Sequence, residues 1–474
     1  MHKIRIRNAL LALVCICATA FSCKSSNDRE NKLNKMLEVN SPSEIYPSIG
    51  KKSFFGDPKT QFNFGETALS PSNAFWLALM STIAYGENRD IDEYLRKIMG
   101  NKIKKFHFFD PRELEGKGAE SFFLHTEGGW IVSFRGSWGG KDWITNFKRM
   151  TLKTRGINQD GEFDDLRIHS GFYDMGSAVF EHFIQEYLSA SKSIDYKYGS
   201  DESFKAVDML LRGMALESDV YADSRPDDVY LPFIQKAKSL GLLKSETPDI
   251  AILNALSIWS EELAAVGRAR NGQPQVMNGT DGYKAIEDKS QSRKRSAAQK
   301  IERYFVFRKY EPIWLTGHSC GGASATILAH RLSRLGIPFA GLVTFGAPKV
   351  GNAVFVAEMN ETYKLQSSDR LNARFHYNQD LIPLVPKLEG IWKHTTDSWF
   401  VSSTDLLHIP ATESSRELLK SKWPENRNGK SVKFYESENQ LPDQTGIFNT
   451  DLLLKNHNMS KYYFNWLDQY TSGT

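Results

Sequence analysis

The hexapeptide Gly-His-Ser-Cys-Gly-Gly at positions 317–322 constrains this chain more than any other feature. It stands between an apolar run of strand length and a segment whose apolar residues recur at helical spacing. Strand, glycine-flanked serine and helix in this order are typical of a nucleophile elbow, a turn that raises a serine hydroxyl above the carboxyl edge of a sheet. We expect strand and helix to approach too closely at Gly317 and Gly321 for a Cβ. The sequence therefore predicts an α/β fold with Ser319 as a nucleophile.

A serine nucleophile needs a histidine to take its proton and a carboxylate to orient that histidine, and in this fold the chain order is Ser, acid, His. Two more runs of strand character follow the elbow, at 339–345 and 371–377. Asp380 comes directly after the second run, where the catalytic side chains of open α/β sheets lie. We interpret Asp380 as the orienting acid. The alternative is a turn residue before Pro383.

Eleven histidines compete for the role of general base. Those that precede the nucleophile break the expected order, and others lie on the elbow helix or within strands. We expect His318, inside the elbow, to point away from the serine. His408 and His457 remain as candidates.

Several segments of the chain, taken in order, resemble those of the class 3 lipases, an α/β-hydrolase family that cleaves acylglycerols and related esters. These segments are 134–137 with 142–143, 168–172, 317–322, 344–352, 380–383, and His457 followed by Tyr462. The resemblance implies a mostly parallel central sheet flanked by helices, and no cofactor. It also implies Ser319 as nucleophile, Asp380 as acid and His457 as base, because 456–460 leads into an aromatic run as the family's terminal histidine loop does. The alternative for His457 is an exposed loop histidine.

An oxyanion hole requires two N–H donors near the serine. One is the backbone N–H of Cys320, the residue after the nucleophile, at the N-terminal end of the elbow helix. By resemblance, Ser137 supplies the other, just past a strand predicted at 130–134. The alternative for Ser137 is an ordinary loop position. Cys320 departs from the leucine that is usual in the family, but the donor is the backbone, so we expect activity to be retained.

The N-terminus predicts export. Three basic residues precede an apolar run at 9–20 that is too short to span a bilayer and is typical of a signal peptide, here 1–22. The run ends in a sequence that resembles a bacterial lipoprotein box with Cys23 as the lipidated residue, so 23–65 is predicted to be a lipidated tether and N-terminal extension. This predicts a lipid-anchored protein of a bacterial cell envelope, in the outer membrane or periplasm. The alternative is a secreted protein.

Charge and cysteine content exclude other classes of protein. Three of the four net positive charges lie in the predicted signal peptide, so the remaining chain is close to neutral and nucleic-acid binding gains no support. After cleavage only Cys23 and Cys320 would remain of the four cysteines. A disulfide framework and a cysteine metal cluster are therefore not expected.

One long insert, about 189–296, interrupts the predicted hydrolase domain of 66–474. We predict helices at 204–216 and 250–266 within it, and a last helix at 297–309 after a polar, turn-rich stretch. The second helix carries an apolar stripe, which we interpret as a packing surface rather than a lipid-binding face. A basic run at positions 292–295 is either a solvated face or a site for anionic headgroups. The insert is also a candidate cap over the active site.

The predicted function is that of a serine ester hydrolase, which cleaves an ester or lipid substrate through an acyl-enzyme on Ser319. The alternative is a catalytically silent surface lipoprotein that keeps the fold and binds a partner through the insert. Four matching elements, the nucleophile, acid, base and oxyanion segment, favour the hydrolase, because a binding scaffold does not require all of them.

Overall fold

The structure is a computed structural model. It describes residues 58, 60–110, 120–136, 152–157, 163–218, 226–271, 280–366, 371–380, 382–384, 392–395, 398–402, 404–411, 413–436, 457 and 459–472. The predicted signal peptide, Cys23 and Ser137 lie outside these residues.

In the described chain, helices and strands alternate from β8 to β10, and a group of four α-helices lies between strands β6 and β7. In chain order the elements are α1 (Pro71–Ile83), α2 (Asn88–Met99), β1 (Ile103–Phe109), β2 (Ser121–Thr126), β3 (Trp130–Phe134), β4 (Leu152–Ile157), β5 (Phe163–Ile168), α3 (Ser170–Ala190), β6 (Lys192–Ser193), α4 (Asp201–Ser218), α5 (Pro226–Ser239), α6 (Asp249–Asn271), α7 (Thr280–Ile301), β7 (Arg308–Lys309), β8 (Ile313–His318), α8 (Cys320–Arg334), β9 (Gly341–Phe345), α9 (Ala353–Gln366), β10 (Asn372–Tyr377), β11 (Ser398–Val401), β12 (Leu406–Pro410), α10 (Glu413–Lys422), β13 (Asn426–Arg427), β14 (Lys430–Tyr435), a π-helical segment (Met459–Phe464) and α11 (Asn465–Thr471).

A ten-stranded sheet organises the domain, in the order β1-β2-β3-β8-β9-β10-β11-β12-β14-β13. The run from β3 to β11 is parallel throughout, whereas β1, β2 and β3 form an antiparallel meander at one side. Parallel strands place their carboxyl ends at one edge, and in this sheet the ends of β8, β9 and β10 are adjacent there. The predicted fold, an α/β-hydrolase with a mostly parallel central sheet flanked by helices, is confirmed.

Both faces of the sheet are buried, and the strands are therefore apolar on both sides. Along β8, Ile313 and Leu315 belong to the core on the side of α3 and α8, while Trp314 belongs to the core on the side of α1. Along β3, Val132 belongs to the core on the side of α3 and α8, and Ile131 belongs to the core on the side of α1. This alternation follows from the two-residue period of a strand, and it fixes which helix layer each side chain meets.

The described part of the insert is mainly helical, and the helix that follows the polar stretch begins earlier than we predict. The polar stretch, 272–291, is predicted to be turn-rich and the last helix to span 297–309. In the described residues α7 instead runs over Thr280–Ile301, and a short 3₁₀ helix (Glu302–Tyr304) precedes β7. Helix α7 is long because it is rich in straight-chain residues, which favour helices, and because Ala297 and Ala298 on its inner face pack into the core.

The apolar stripe of α6 is a packing surface, as predicted, over the residues whose side chains are described. Ile252, Leu256 and Trp259 are all fully buried in the core on the α3 and α8 side. In the described part of the chain, no helix combines the length and the apolar character that crossing a membrane requires.

The basic run 292–295 is paired with acids of the insert itself. Arg293 contacts Glu262, the buried Lys294 lies 3.3 Å from Asp208, and Arg295 forms an ion pair with an aspartate of α4. Charges paired in this way tie α7 to α4 and α6. The interpretation of this run as a headgroup site is therefore not supported.

The insert packs against the end of the elbow helix α8 that is far from Ser319. A Cβ on Gly213 of α4 would lie 1.5 Å from the Arg334 carbonyl oxygen, and one on Gly336 would lie 2.9 Å from the Leu210 nitrogen. Helix α8 has 15 residues and is therefore about 22 Å long. These contacts place α4 behind the elbow helix and do not support the interpretation of the insert as a cap.

Candidate active site

Ser319 occupies the turn between β8 and α8. Its backbone has φ 59° and ψ −132°, a combination that residues other than glycine rarely adopt. The Ser319 N–H donates a hydrogen bond to the Phe345 carbonyl at the end of β9, at 2.9 Å. Such strain costs about 1–3 kcal/mol and persists only where the surrounding structure imposes it. This is the geometry of a nucleophile elbow.

Gly317 and Gly321 permit this turn because neither position has room for a side chain. A Cβ on Gly317 would lie 2.4 Å from the Gly321 carbonyl carbon, and a Cβ on Gly321 would lie 2.4 Å from the Phe134 carbonyl oxygen. The prediction that the backbone approaches too closely for a Cβ at both glycines is confirmed. The second contact also brings the end of β3 against the elbow.

Asp380 and His457 are hydrogen-bonded to each other, and both are buried. His457 Nδ1 and Asp380 Oδ2 are 2.8 Å apart. A carboxylate only accepts hydrogen bonds, so Nδ1–H donates and Nε2 is the nitrogen left with a lone pair. The other carboxylate oxygen, Oδ1, accepts from the Ile382 N–H at 3.0 Å. The carboxylate is thus fixed through both oxygens just past the carboxyl end of β10.

Tyr463 is a third hydrogen-bond partner of Asp380 that sequence reasoning missed. Its hydroxyl donates to Asp380 Oδ2 at 2.6 Å and accepts from the Tyr377 N–H at 3.0 Å. Burial, reinforced by the Asp380 charge, raises the pKa of Tyr463 well above its ordinary value, so the hydroxyl remains a donor. Tyr462, which carries the family resemblance, instead stacks on Tyr377 at 4.1 Å. The aromatic run was visible in the sequence, but the register of the π-helical segment decides which ring reaches Asp380.

Gly346 lies between Asp380, His457 and the end of β9. Its φ is 57°, and a Cβ there would lie 2.7 Å from Asp380 Oδ2 and 3.0 Å from His457 Cε1. The Phe345 carbonyl, one residue earlier, accepts the Ser319 N–H. The lack of a side chain at Gly346 therefore allows Asp380 and His457 to lie beside the strand end that holds Ser319.

His318 is predicted to point away from Ser319, and the structure shows that its side chain lies against His457. Its ring stacks on the His457 ring, with 4.4 Å between centroids and 27° between planes. Its Nδ1 is 2.8 Å from the Tyr85 hydroxyl. The reason is strand alternation, because Trp314, Thr316 and His318 share the face of β8 that meets α1, and Tyr85 follows α1 directly.

The predicted oxyanion segment, residues 134–137 including Ser137, is described up to Gly136. A Cβ on Gly136 would lie 3.0 Å from Ser319 Cβ and 2.8 Å from the His318 carbonyl oxygen, so the chain after β3 touches the serine. Cys320 is the first residue of α8. The backbone N–H groups at the N-terminal end of a helix are not used within the helix, and they stabilise a negative charge placed there. Ser137 follows Gly136 but lies outside the described residues, and its role stays a prediction.

The competing histidine His408 lies elsewhere in the sheet. It is on β12, two strands beyond β10, and its ring packs edge-on against Phe400 with 6.0 Å between centroids. The structure therefore brings His457, and not His408, to Asp380. Among the residues described, no group of three or more His, Cys, Asp or Glu side chains is arranged to hold a metal ion.

We expect Tyr463→Phe to lower kcat by about 10- to 100-fold with little change in KM. The variant removes a hydrogen bond to a charged group, which is worth about 1.5–3 kcal/mol, while the ring keeps its packing. Tyr462→Phe is the matched control, because it removes the hydroxyl of the neighbouring ring that stacks on Tyr377, and we expect activity near the parent. Steady-state ester hydrolysis measures both. Equal losses in the two variants would contradict the assigned role of Tyr463.

We also expect the protein to lose stability as the pH falls from 6.5 to 4. Burial lowers the pKa of His169 and of His376 to about 4, and it lowers those of His318 and His394 well below 6.5. In that window the unfolded chain binds more protons than the folded one, so the free energy of unfolding decreases with falling pH.

Urea titrations at several pH values measure this dependence. His169→Phe is the informative variant, since the imidazole is buried and stacks on Phe172 at 4.3 Å. The variant is expected to reduce the slope of unfolding free energy against pH by up to one proton. An unchanged slope would show that His169 does not contribute to the acid lability.

The sequence is similar to known lipases over its central part. Residues 252–390 match the family model described as "Lipase (class 3)". A "Lipase A" from Sodiomyces alcalophilus is 32% identical over 102 residues, which cover 20% of this chain and 24% of that protein. A "Secreted mono- and diacylglycerol lipase 1" from Fusarium solani is 32% identical over 92 residues, covering 19% and 26%. The chain thus spans about a quarter of the length of these relatives.

Solved structures that superpose on the chain are also lipases by title. A "Rhizomucor miehei lipase propeptide complex" aligns with 76% of this chain and 81% of its own, at 12% identity and a TM-score of 0.33. A structure titled "crystal structure of a FUNGAL LIPASES" aligns with 83% of this chain and 95% of its own chain, at 13% identity and a TM-score of 0.35. The family match at 252–390 contains both Ser319 and Asp380. This match confirms the family resemblance indicated by the sequence motifs.

Proposed function

We propose that this protein is a serine carboxylic ester hydrolase of the class 3 lipase type, with Ser319 as nucleophile, Asp380 as acid and His457 as base. The observation that carries the proposal is the buried hydrogen bond of 2.8 Å between Asp380 and His457, beside the strand ends that hold the strained Ser319 turn. A carboxylate, an imidazole and a serine arranged in this order are the parts that acyl transfer to a hydroxyl requires.

The proposed reaction begins with attack of Ser319 Oγ on the ester carbonyl carbon. His457 Nε2 takes the hydroxyl proton as the new C–O bond forms, and the carbonyl electron pair moves to the oxygen. The resulting oxyanion accepts a hydrogen bond from the Cys320 N–H and, in this proposal, from Ser137. His457 then gives its proton to the leaving alcohol oxygen as the original ester bond breaks, which leaves an acyl-enzyme.

Water completes the cycle by the same steps. His457 takes a proton from water as the water oxygen attacks the acyl carbon, and it returns that proton to Ser319 Oγ as the acyl-enzyme bond breaks. Asp380 stays ionised and stabilises the imidazolium that forms twice in each cycle. Tyr463 and the Ile382 N–H hold the carboxylate in place through both of its oxygens.

Acylglycerols are the proposed substrate class, and export is the proposed location. The Fusarium solani relative is titled a secreted mono- and diacylglycerol lipase, and so is a relative from Penicillium cyclopium that is 32% identical over 89 residues. Both titles favour the secreted alternative over a lipid-anchored bacterial envelope protein. We further propose that a lipid on Cys23 anchors the protein to a membrane. If the parent protein is found in the membrane fraction and the Cys23→Ser variant is released from it, that result would support the anchor.

The test is hydrolysis of p-nitrophenyl esters from short to long acyl chains, and of a diacylglycerol emulsion, by the full chain. We expect turnover, and labelling by a fluorophosphonate probe, in the parent protein. Labelling without turnover would support the nucleophile and contradict the substrate class. A folded parent with neither turnover nor labelling would contradict the proposal and favour the silent surface protein.

A further inference from the structure

His318 is a buried imidazole that the proposed reaction does not use. It is 1% exposed, and its Nδ1 is 2.8 Å from the Tyr85 hydroxyl. Its Nε2 has no hydrogen-bond partner within the part of the chain that the structure describes. A buried polar atom without a partner costs about 1–3 kcal/mol, which an apolar ring would avoid. The position of the ring therefore calls for an explanation.

The ring of His318 lies against the face of His457. The two centroids are 4.4 Å apart and the planes are inclined by 27°, which is a stacked arrangement. Asp380 holds His457 at the edge of its ring, through Nδ1. A hydrogen bond at one edge does not by itself fix the rotation of the ring about the line between Nδ1 and Oδ2. A packed ring on one face restricts that motion.

Tyr85 in turn holds His318. The phenol is buried, and a Cβ on Gly136 would lie 2.2 Å from its hydroxyl oxygen. The hydroxyl is therefore confined between the oxyanion segment after β3 and the imidazole of His318. Tyr85 follows α1, Gly136 follows β3 and His318 ends β8. The hydrogen bond from Tyr85 therefore restrains the orientation of His318 beside His457.

His318 remains neutral in this arrangement. Burial, followed by the neighbouring His457, lowers its pKa well below the ordinary value. The titratable groups around it are His457, Tyr85 and Tyr463, whose ring centroid is 6.1 Å away. A neutral ring does not repel the imidazolium that forms on His457, whereas a second cation would.

We propose that His318, held by Tyr85, is a positioning residue for His457: its ring restricts the motion of the imidazole that takes the Ser319 proton in the proposed reaction. This inference rests on the proposed function, because it assigns a role within the same reaction. A misplacement of about 1 Å in a reacting group can cost about 10²-fold in rate, so the contact is expected to matter for kcat.

Two substitutions separate the stack from the hydrogen bond. His318→Phe keeps a ring against His457 and loses the bond to Tyr85, whereas His318→Asn keeps a polar group for Tyr85 and loses the ring face. We expect His318→Phe to retain kcat within about threefold and His318→Asn to lose about 10- to 100-fold, each with KM near the parent. Tyr85→Phe removes the same hydrogen bond and also keeps the ring of His318, so it is likewise expected to retain kcat within about threefold.

His408 supplies the matched control. It is also a buried histidine with an unpartnered Nε2 in the described part of the chain, and it packs on Phe400. His408→Asn is expected to leave kcat unchanged, and urea unfolding reports the stability of every variant. Equal losses in His318→Phe and His318→Asn, or activity within twofold of the parent in both, would overturn the proposal.

A readout that does not require turnover separates this inference from the proposed function. The low-field proton resonance of the hydrogen bond between His457 and Asp380 is measured by NMR in the folded parent and variants. We expect it to persist in His318→Phe and to shift or broaden in His318→Asn. An unperturbed resonance in His318→Asn would overturn the positioning role even in an active protein, whereas a silent parent would contradict only the proposed function.

Discussion

Ser319→Ala is expected to lower kcat for ester hydrolysis by about 10⁴- to 10⁶-fold, with KM near that of the parent. The reason is that the substitution removes the only oxygen that the proposed reaction acylates, while the oxyanion donors and the substrate surface remain. The alanine also removes fluorophosphonate labelling altogether. Steady-state kinetics with the best p-nitrophenyl ester, and gel-based labelling, measure the two losses.

Ser324→Ala is the matched control for this variant. Ser324 is a buried serine one helical turn further along α8, and its hydroxyl donates to the Cys320 carbonyl at 3.0 Å. Its loss is expected to leave labelling and kcat near those of the parent. Residual labelling in a folded Ser319→Ala variant would mean that another residue is the nucleophile, and would contradict the proposed reaction.

His457→Ala is expected to have the second largest effect, a loss of about 10⁴-fold or more in kcat. Without the imidazole no side chain takes the Ser319 proton, and the Asp380 carboxylate loses one of its hydrogen-bond partners. His408→Ala is the control, because His408 is the histidine that sequence reasoning left in competition with His457. We expect His408→Ala to retain the activity of the parent.

The pH dependence of kcat/KM provides a second test of the His457→Ala and His408→Ala variants. The acidic limb of kcat/KM reports the protonation of the essential base in the free enzyme. That limb is expected to persist in His408→Ala and to disappear from the residual activity of His457→Ala. The opposite pattern, with His408→Ala inactive, would show that the sheet contains a different catalytic pair.

The sequence predicted the elbow, the neighbouring strands and the order of nucleophile, acid and base, because each depends on a short local pattern. The turn at Ser319 follows from glycines within two residues on either side and from the elements that flank it. Asp380 follows from its place directly after a strand. The boundary of α7 was missed because helix propensity and packing of its inner face extend the helix into a stretch that looked turn-rich.

The sequence alone determined the α/β class, the serine turn and the position of Asp380 just after β10, since these are local features read over a few residues. Only the tertiary structure decided that Tyr463 rather than Tyr462 bonds Asp380, that His318 stacks on His457, and that the insert packs behind α8. Those contacts join residues far apart in the chain, such as Tyr85 and His318 at a separation of 233 positions. Their geometry depends on how helices and strands pack, which no local pattern specifies.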